Sequence, residues 1–70
     1  MNHTRVSSSN VYSVGYDATS ATLEVTFHSG GTYQYYGVPA SVHAALMRAS
    51  SKGSYLASYI KDRYQYRQVR

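Results

Sequence analysis

The 70-residue sequence has no cysteine, a single proline and only three carboxylates, Asp17, Glu24 and Asp62. Without cysteine, neither a disulfide framework nor a thiolate metal site can supplement a small core, and such a composition fits a cytoplasmic address. Long apolar runs are missing too. The longest aliphatic run outside the tyrosines is Ala44 to Met47, and the opening MNHTRVSSSN has no apolar segment, so neither an export signal nor a membrane span is expected.

The scarcity of acids also limits the chemistry. The three histidines, His3, His28 and His43, include no pair at i, i+4 or strand i, i+2 spacing, and with three carboxylates a supporting shell for a metal is hard to assemble. No Gly-x-Ser-x-Gly elbow is present, although a Ser-His-acid group assembled in space stays open. The glycine turns SGGT and SSKGS lack the spacing of phosphate-binding loops. A chain this short has little room for a water-excluding pocket beside its core, so the expectation is a protein that is not an enzyme and uses no metal or cofactor.

What is abundant is tyrosine, with nine residues. A domain of this size buries only ~60% of the surface its unfolded chain exposes, so nearly every large apolar side chain must contribute. The candidates are Val11, Val14, Leu23, Val25, Phe27, Val38, Val42, Leu46, Met47, Leu56 and Ile60. Tyrosine, with a large ring and a hydroxyl that needs water or a partner, suits the rim of such a core. Two Tyr-Gln-Tyr triplets occur, at Tyr33 to Tyr35 and at Tyr64 to Tyr66.

Along the chain, residues 1–9 are polar and read as a flexible N-terminus, with residues 10–70 forming one domain. Asn10 to Asp17 is rich in strand formers, but Val11 and Val14 are three apart, a conflict that Gly15 relieves as a bulge or a close approach. Asp17 to Ala21 reads as a turn. Leu23, Val25 and Phe27 alternate with polar residues, the clearest period-two signal. A three-residue loop, Ser29 to Gly31, would place Tyr33 opposite Phe27 and Tyr35 opposite Val25, both on the core face with Tyr36 outside. A two-residue loop would bury Gln34 instead, at about 1 to 3 kcal/mol for an unpaired amide. Pro39 suits the first turn of a helix carrying Val42, Ala45, Leu46 and Ala49, with Gly53 as a left-handed cap. A second short helix, capped by Ser54, is anchored by Leu56 and Ile60. The fold class is therefore α+β, a three-stranded antiparallel β-meander with two short helices on one sheet face. The residues after Asp62 suit either a short C-terminal edge strand or an extended tail.

Charge is unevenly placed. Up to Met47, Arg5 faces Asp17 and Glu24, whereas from Arg48 onward Arg48, Lys52, Lys61, Arg63, Arg67 and Arg70 face Asp62 alone. This asymmetry points to a polyanionic partner, although surface cations also keep small domains soluble. Within Tyr59 to Arg67, YIKDRYQYR, aromatic and basic residues interleave. Single-stranded nucleic acid is held by cations along its phosphates and rings against its bases, so both ingredients are present. In an extended segment, however, Arg63, Gln65 and Arg67 point away from Tyr64 and Tyr66, as in an edge strand with its rings inward.

The ordered series VGYD, LEVTFHSGGTYQYYGVP, ASSKGSYL and IKDRYQYR resembles the KTSC domain family, short bacterial domains found alone or at the C-terminus of some lysyl-tRNA synthetases. The resemblance spans Val6 to Val69, and its central mark is Y-x-Y followed by G-V-P, here Tyr33, Tyr35, Gly37, Val38 and Pro39. It implies no established activity, and attachment to a synthetase implies a connection with RNA. Where the family usually has Tyr-Phe-Asn, this chain has Tyr55, Leu56 and Ala57.

The functional expectation is a module for RNA or other single-stranded nucleic acid. It would use Lys52, Lys61, Arg63, Arg67 and Arg70 for phosphates and Tyr64 and Tyr66 for stacking, with Tyr36 ranked behind them. The alternative is a protein-interaction or homo-oligomerisation module that docks through an open sheet face or edge, and a third class, a small regulatory or phage-encoded inhibitor of an enzyme, is not separable from it by sequence. Monomer and weak homodimer both stay open, and no membrane partner is expected.

Overall fold

The computed structural model describes residues 1–70. Its centre is an antiparallel sheet in chain order, β1 (His3–Arg5), β2 (Val11–Asp17), β3 (Thr22–Phe27), β4 (Thr32–Tyr35) and β5 (Tyr66–Gln68). Between β4 and β5 lie helix α1 (Ala40–Arg48), helix α2 (Lys52–Tyr55) and a π-helical turn (Leu56–Ile60). The class is α+β, but the sheet has five strands rather than three. The C-terminal edge strand forms as β5 on β4, and an N-terminal strand, β1, pairs with β2 where the sequence reading placed only a flexible end.

Burial follows the alternation of the strands. Leu23 and Val25 are fully buried, whereas Glu24 and Gln34, paired across β3 and β4, turn to the opposite sheet face and hydrogen-bond there. The core comprises Val11, Val14, Leu23, Val25, Tyr35, Val38, Leu46, Leu56 and Ile60, with Phe27, Tyr33, Val42 and Met47 partly buried against it. All eleven anticipated apolar side chains thus belong to the core or its margin, and five tyrosines join them, Tyr35 in the core and Tyr16, Tyr33, Tyr55 and Tyr64 at its margin.

The β3–β4 hairpin has the predicted parity but a register shifted by two residues. Val25 pairs with Tyr33 and Leu23 with Tyr35, and the Phe27 N–H donates to the Gly31 carbonyl (2.9 Å). The three-residue loop is therefore His28 to Gly30, with Gly30 taking the left-handed position at φ 112°. Phe27 meets Tyr33 diagonally, edge to face at 5.7 Å.

In β2 the bulge falls at Tyr12, between Val11 and Ser13, and not at Gly15. Gly15 serves the other anticipated purpose, a close approach, because a Cβ there would lie 2.7 Å from the His3 ring. Two helix assignments need correction. Gly53 does not cap α1, which ends in extended backbone at Ala49; it lies inside α2, where a Cβ would collide with the Asn10 amide. The N-cap of α2 is Ser51, whose hydroxyl accepts from the Ser54 N–H (3.3 Å), rather than Ser54.

The turn before β3 stores some strain. Ala21 sits at φ 53°, a left-handed conformation that costs an L-residue roughly 1 to 2 kcal/mol. Ala21→Gly releases this and gives back part through the freer unfolded chain, so a net gain of about 0.5 kcal/mol is expected, read as a small rise in the thermal midpoint.

A candidate nucleic-acid interface

Strand pairing brings the two Tyr-Gln-Tyr triplets together. Tyr35 pairs with Tyr66, which sets the Tyr66 ring 5.8 Å from Tyr35 and 6.0 Å from Tyr33. Tyr35 is 4% exposed and Tyr66 57%, so the first belongs to the core and the second stands over it as an open ring. Phe27, Tyr33, Tyr35 and Tyr66 form one wall of a cleft of about 340 Å³, with Gly53, Leu56 and Ala57 from α2 and the π-helical turn opposite. Asn10, Ser29 and Lys61 complete the lining. Burial, helped by the neighbouring Tyr33 and Tyr66, pushes the Tyr35 hydroxyl above the ordinary tyrosine value, so it stays protonated and able to donate.

A second, more open cavity of about 570 Å³ is formed by the turn from Lys61 to Tyr66. It shares Lys61 and Tyr66 with the aromatic cleft, so those two side chains border both. The turn is fixed from beneath. The Lys61 N–H donates to the Leu56 carbonyl (2.8 Å), five residues back, and the Ile60 carbonyl accepts from the N–H groups of Arg63 (3.1 Å) and Tyr64 (3.3 Å). Such widened helical turns recur at functional sites. The one close contact between a basic side chain and a carboxylate is His3 with Glu24, so Lys61 and Arg63 have no carboxylate partner.

The predicted site residues divide. Lys61 and Tyr66 line both cavities, and Arg63 lines the open turn. Tyr64 also borders the turn, but its ring is partly buried against the core. Lys52 is occupied, its ammonium donating to the Ala49 carbonyl at the end of α1 (2.7 Å). Arg67 pairs with Gln34 in the β4–β5 ladder and so faces the other side of the sheet, and Arg70 is near enough to Glu24 to act on its charge. Tyr36 is exposed on that far side, its hydroxyl donating to Gln34 Oε1 (3.0 Å). Sequence reasoning did not assign Asn10, Phe27, Tyr33, Tyr35, Leu56 or Ala57 to a site. The repeated triplet was the available signal, since one ring of the second copy completes the wall begun by the first.

The far face carries a polar brace. His3 spans two strands, with Nδ1 2.8 Å from Ser13 Oγ and Nε2 2.6 Å from Glu24 Oε1, and Gln34 Nε2 donates to Glu24 Oε2 (2.7 Å). A serine, a histidine and a carboxylate do therefore assemble in space. Ser13 is buried, however, and neither cavity reaches it, so the group's visible role is to fasten β1 across the sheet. No three His, Asp or Glu side chains gather in a metal-holding arrangement, and no helix is long and apolar enough to cross a membrane.

The Gln34 amide holds the Glu24 carboxyl below its ordinary value of 4.5 against the opposing effect of burial, with His3 and then Arg70 adding to the lowering. A carboxylate whose folded value is depressed contributes stability above its unfolded value and loses it as pH falls through the folded one. Urea denaturation across a pH series should show stability falling below about pH 4.5. Glu24→Gln should give a shallower acid limb, and the remaining slope includes Asp17, whose carboxyl is lowered by hydrogen bonds from Thr19.

The KTSC domain family matches residues 7–64. The crystal structure of a KTSC domain protein from Yersinia pestis superposes with a TM-score of 0.95 at 40% identity, covering 99% of this chain and 97% of that one. A lysine–tRNA ligase of Trichormus variabilis is 41% identical over 54 residues, which are 77% of this chain and 10% of the ligase. A protein of Stutzerimonas stutzeri is 38% identical over 64 residues, covering 91% of this chain and 90% of its own length. The chain thus spans a tenth of the ligase it matches and nearly all of the free-standing relatives. It belongs to the KTSC domain family.

Proposed function

We propose that this domain is a non-catalytic, cytoplasmic binding module for RNA or other single-stranded nucleic acid. The observation that carries the reading is the open turn lined by Lys61, Arg63 and Tyr66, two cations without a carboxylate partner and an exposed ring, of which Lys61 and Tyr66 also line the aromatic cleft. Cations hold phosphates by charge, and exposed rings hold unpaired bases by stacking, which tolerates any base because each has a π-face. Similarity to part of a ligase that acts on tRNA supports the same class of partner.

The test is a labelled single-stranded oligonucleotide titrated at several salt concentrations. Two phosphate contacts on a single strand, at Lys61 and Arg63, predict about a sevenfold loss of affinity between roughly 50 and 200 mM salt. A stable dimer by light scattering with no oligonucleotide affinity at any salt would overturn the reading in favour of a protein-interaction module.

A further inference from the structure

Lys61 and Tyr66 line both cavities, whose linings otherwise differ in kind. The cleft is walled by Phe27, Tyr33, Tyr35 and Tyr66, and its volume of about 340 Å³ falls at the small end of sites that enclose compact ligands, about 300 to 1,000 Å³. The turn is open and polar, with Lys61 and Arg63 against the single acid Asp62. A ligand matching both must join a flat ring to an anion through a short link, which describes a nucleotide unit.

We infer that the cleft and the turn form one nucleotide subsite, an unpaired base entering beside Tyr66 and its phosphate resting against Lys61 and Arg63. This rests on the proposed function and narrows it to one surface and one unit of the strand. Asn10 Nδ2 and the Ser29 hydroxyl, both in the cleft lining, are the groups available to the polar edge of the base, since Asn10 Oδ1 accepts from the Ser8 hydroxyl (3.1 Å). Leu56 and Ala57 form the facing wall, so the positions where this chain departs from the usual family pattern bear on which base fits.

The experiment compares an oligouridylate, an abasic ribose-phosphate oligomer of equal length and free uridine monophosphate. Each is titrated against the wild-type chain, Tyr66→Ala and Tyr66→Phe. The exposed position of Tyr66 allows both substitutions without opening the core. The expected result is that the abasic oligomer binds wild type roughly five- to a hundredfold more weakly than oligouridylate, with the same salt slope. Tyr66→Ala should erase that difference, Tyr66→Phe should keep it, and the free monophosphate should bind far more weakly than the oligomer. Equal affinity for abasic and base-bearing oligomers with a normal salt slope would overturn the subsite while leaving phosphate binding intact. Absence of binding to either would overturn the module reading itself. A monophosphate as tight as the oligomer would overturn the strand as the source of the nucleotide.

Discussion

Replacing Ile60 with alanine lowers the stability of the fold by about 2 to 5 kcal/mol, the range for deleting a large buried aliphatic side chain. Ile60 has no exposed surface, lies at the end of the π-helical turn, and packs with Leu23, Leu46 and Leu56 in the same core. At roughly 0.05 to 0.15 kcal/mol per residue, a domain of this length has a margin on the order of 4 to 10 kcal/mol, so one side chain carries a large share of it. The Ile60 carbonyl, which alanine retains, accepts the two hydrogen bonds that close the Lys61–Tyr64 turn, so the substitution reaches the proposed site only through the lost packing that positions this backbone. Denaturant unfolding should show the full change. Each kcal/mol corresponds to about 4 to 8 °C in a domain of this size, so the thermal midpoint should fall by about eight degrees or more. A loss under about 1 kcal/mol would mean that the helical layer is not docked as described.

The second large effect concerns Lys61 and Arg63. If these side chains neutralise two phosphates, the double replacement Lys61→Ala with Arg63→Ala should make the slope of log affinity against log salt shallower by about 1.4. Both residues are exposed and unpaired, so stability should barely change. Arg67→Ala provides the internal comparison. Its side chain faces the other side of the sheet, and it should alter the slope little if the strand runs along the turn. A loss confined to Arg67→Ala would move the phosphate path to the braced face, where Arg70 and Tyr36 also lie.

The parts of this fold that were legible in the sequence are those in which burial leaves a period. Leu23, Val25 and Phe27 announce β3, and with the loop-length argument they set the parity that puts Tyr33 and Tyr35 on the core face. The exact register was not legible, because Gly30 and Gly31 are equally able to take a left-handed position and only the folded chain selects Gly30. Strand β1 left no signal at all. Its three residues, His-Thr-Arg, have no apolar alternation, and a side-chain bridge from His3 to Ser13 and Glu24 holds them. For the site, the list of cations and tyrosines was legible, but their grouping was not. Alternation already set Arg67 apart from Tyr66 in the sequence, as β5 does in the fold, but the helix-end carbonyl that occupies Lys52 is a contact the sequence does not reveal.

The claim on which this account depends is that one continuous surface, from the aromatic cleft to the Lys61–Tyr66 turn, meets single-stranded nucleic acid. Amide chemical-shift mapping during titration with a short single-stranded RNA tests it most directly. The account predicts shifts gathered at Tyr33, Tyr35, Leu56, Ala57 and Lys61 to Tyr66, with His3, Ser13 and Glu24 unmoved. Shifts confined to the His3–Glu24 face, or a spectrum unchanged at saturating RNA and low salt, would contradict it.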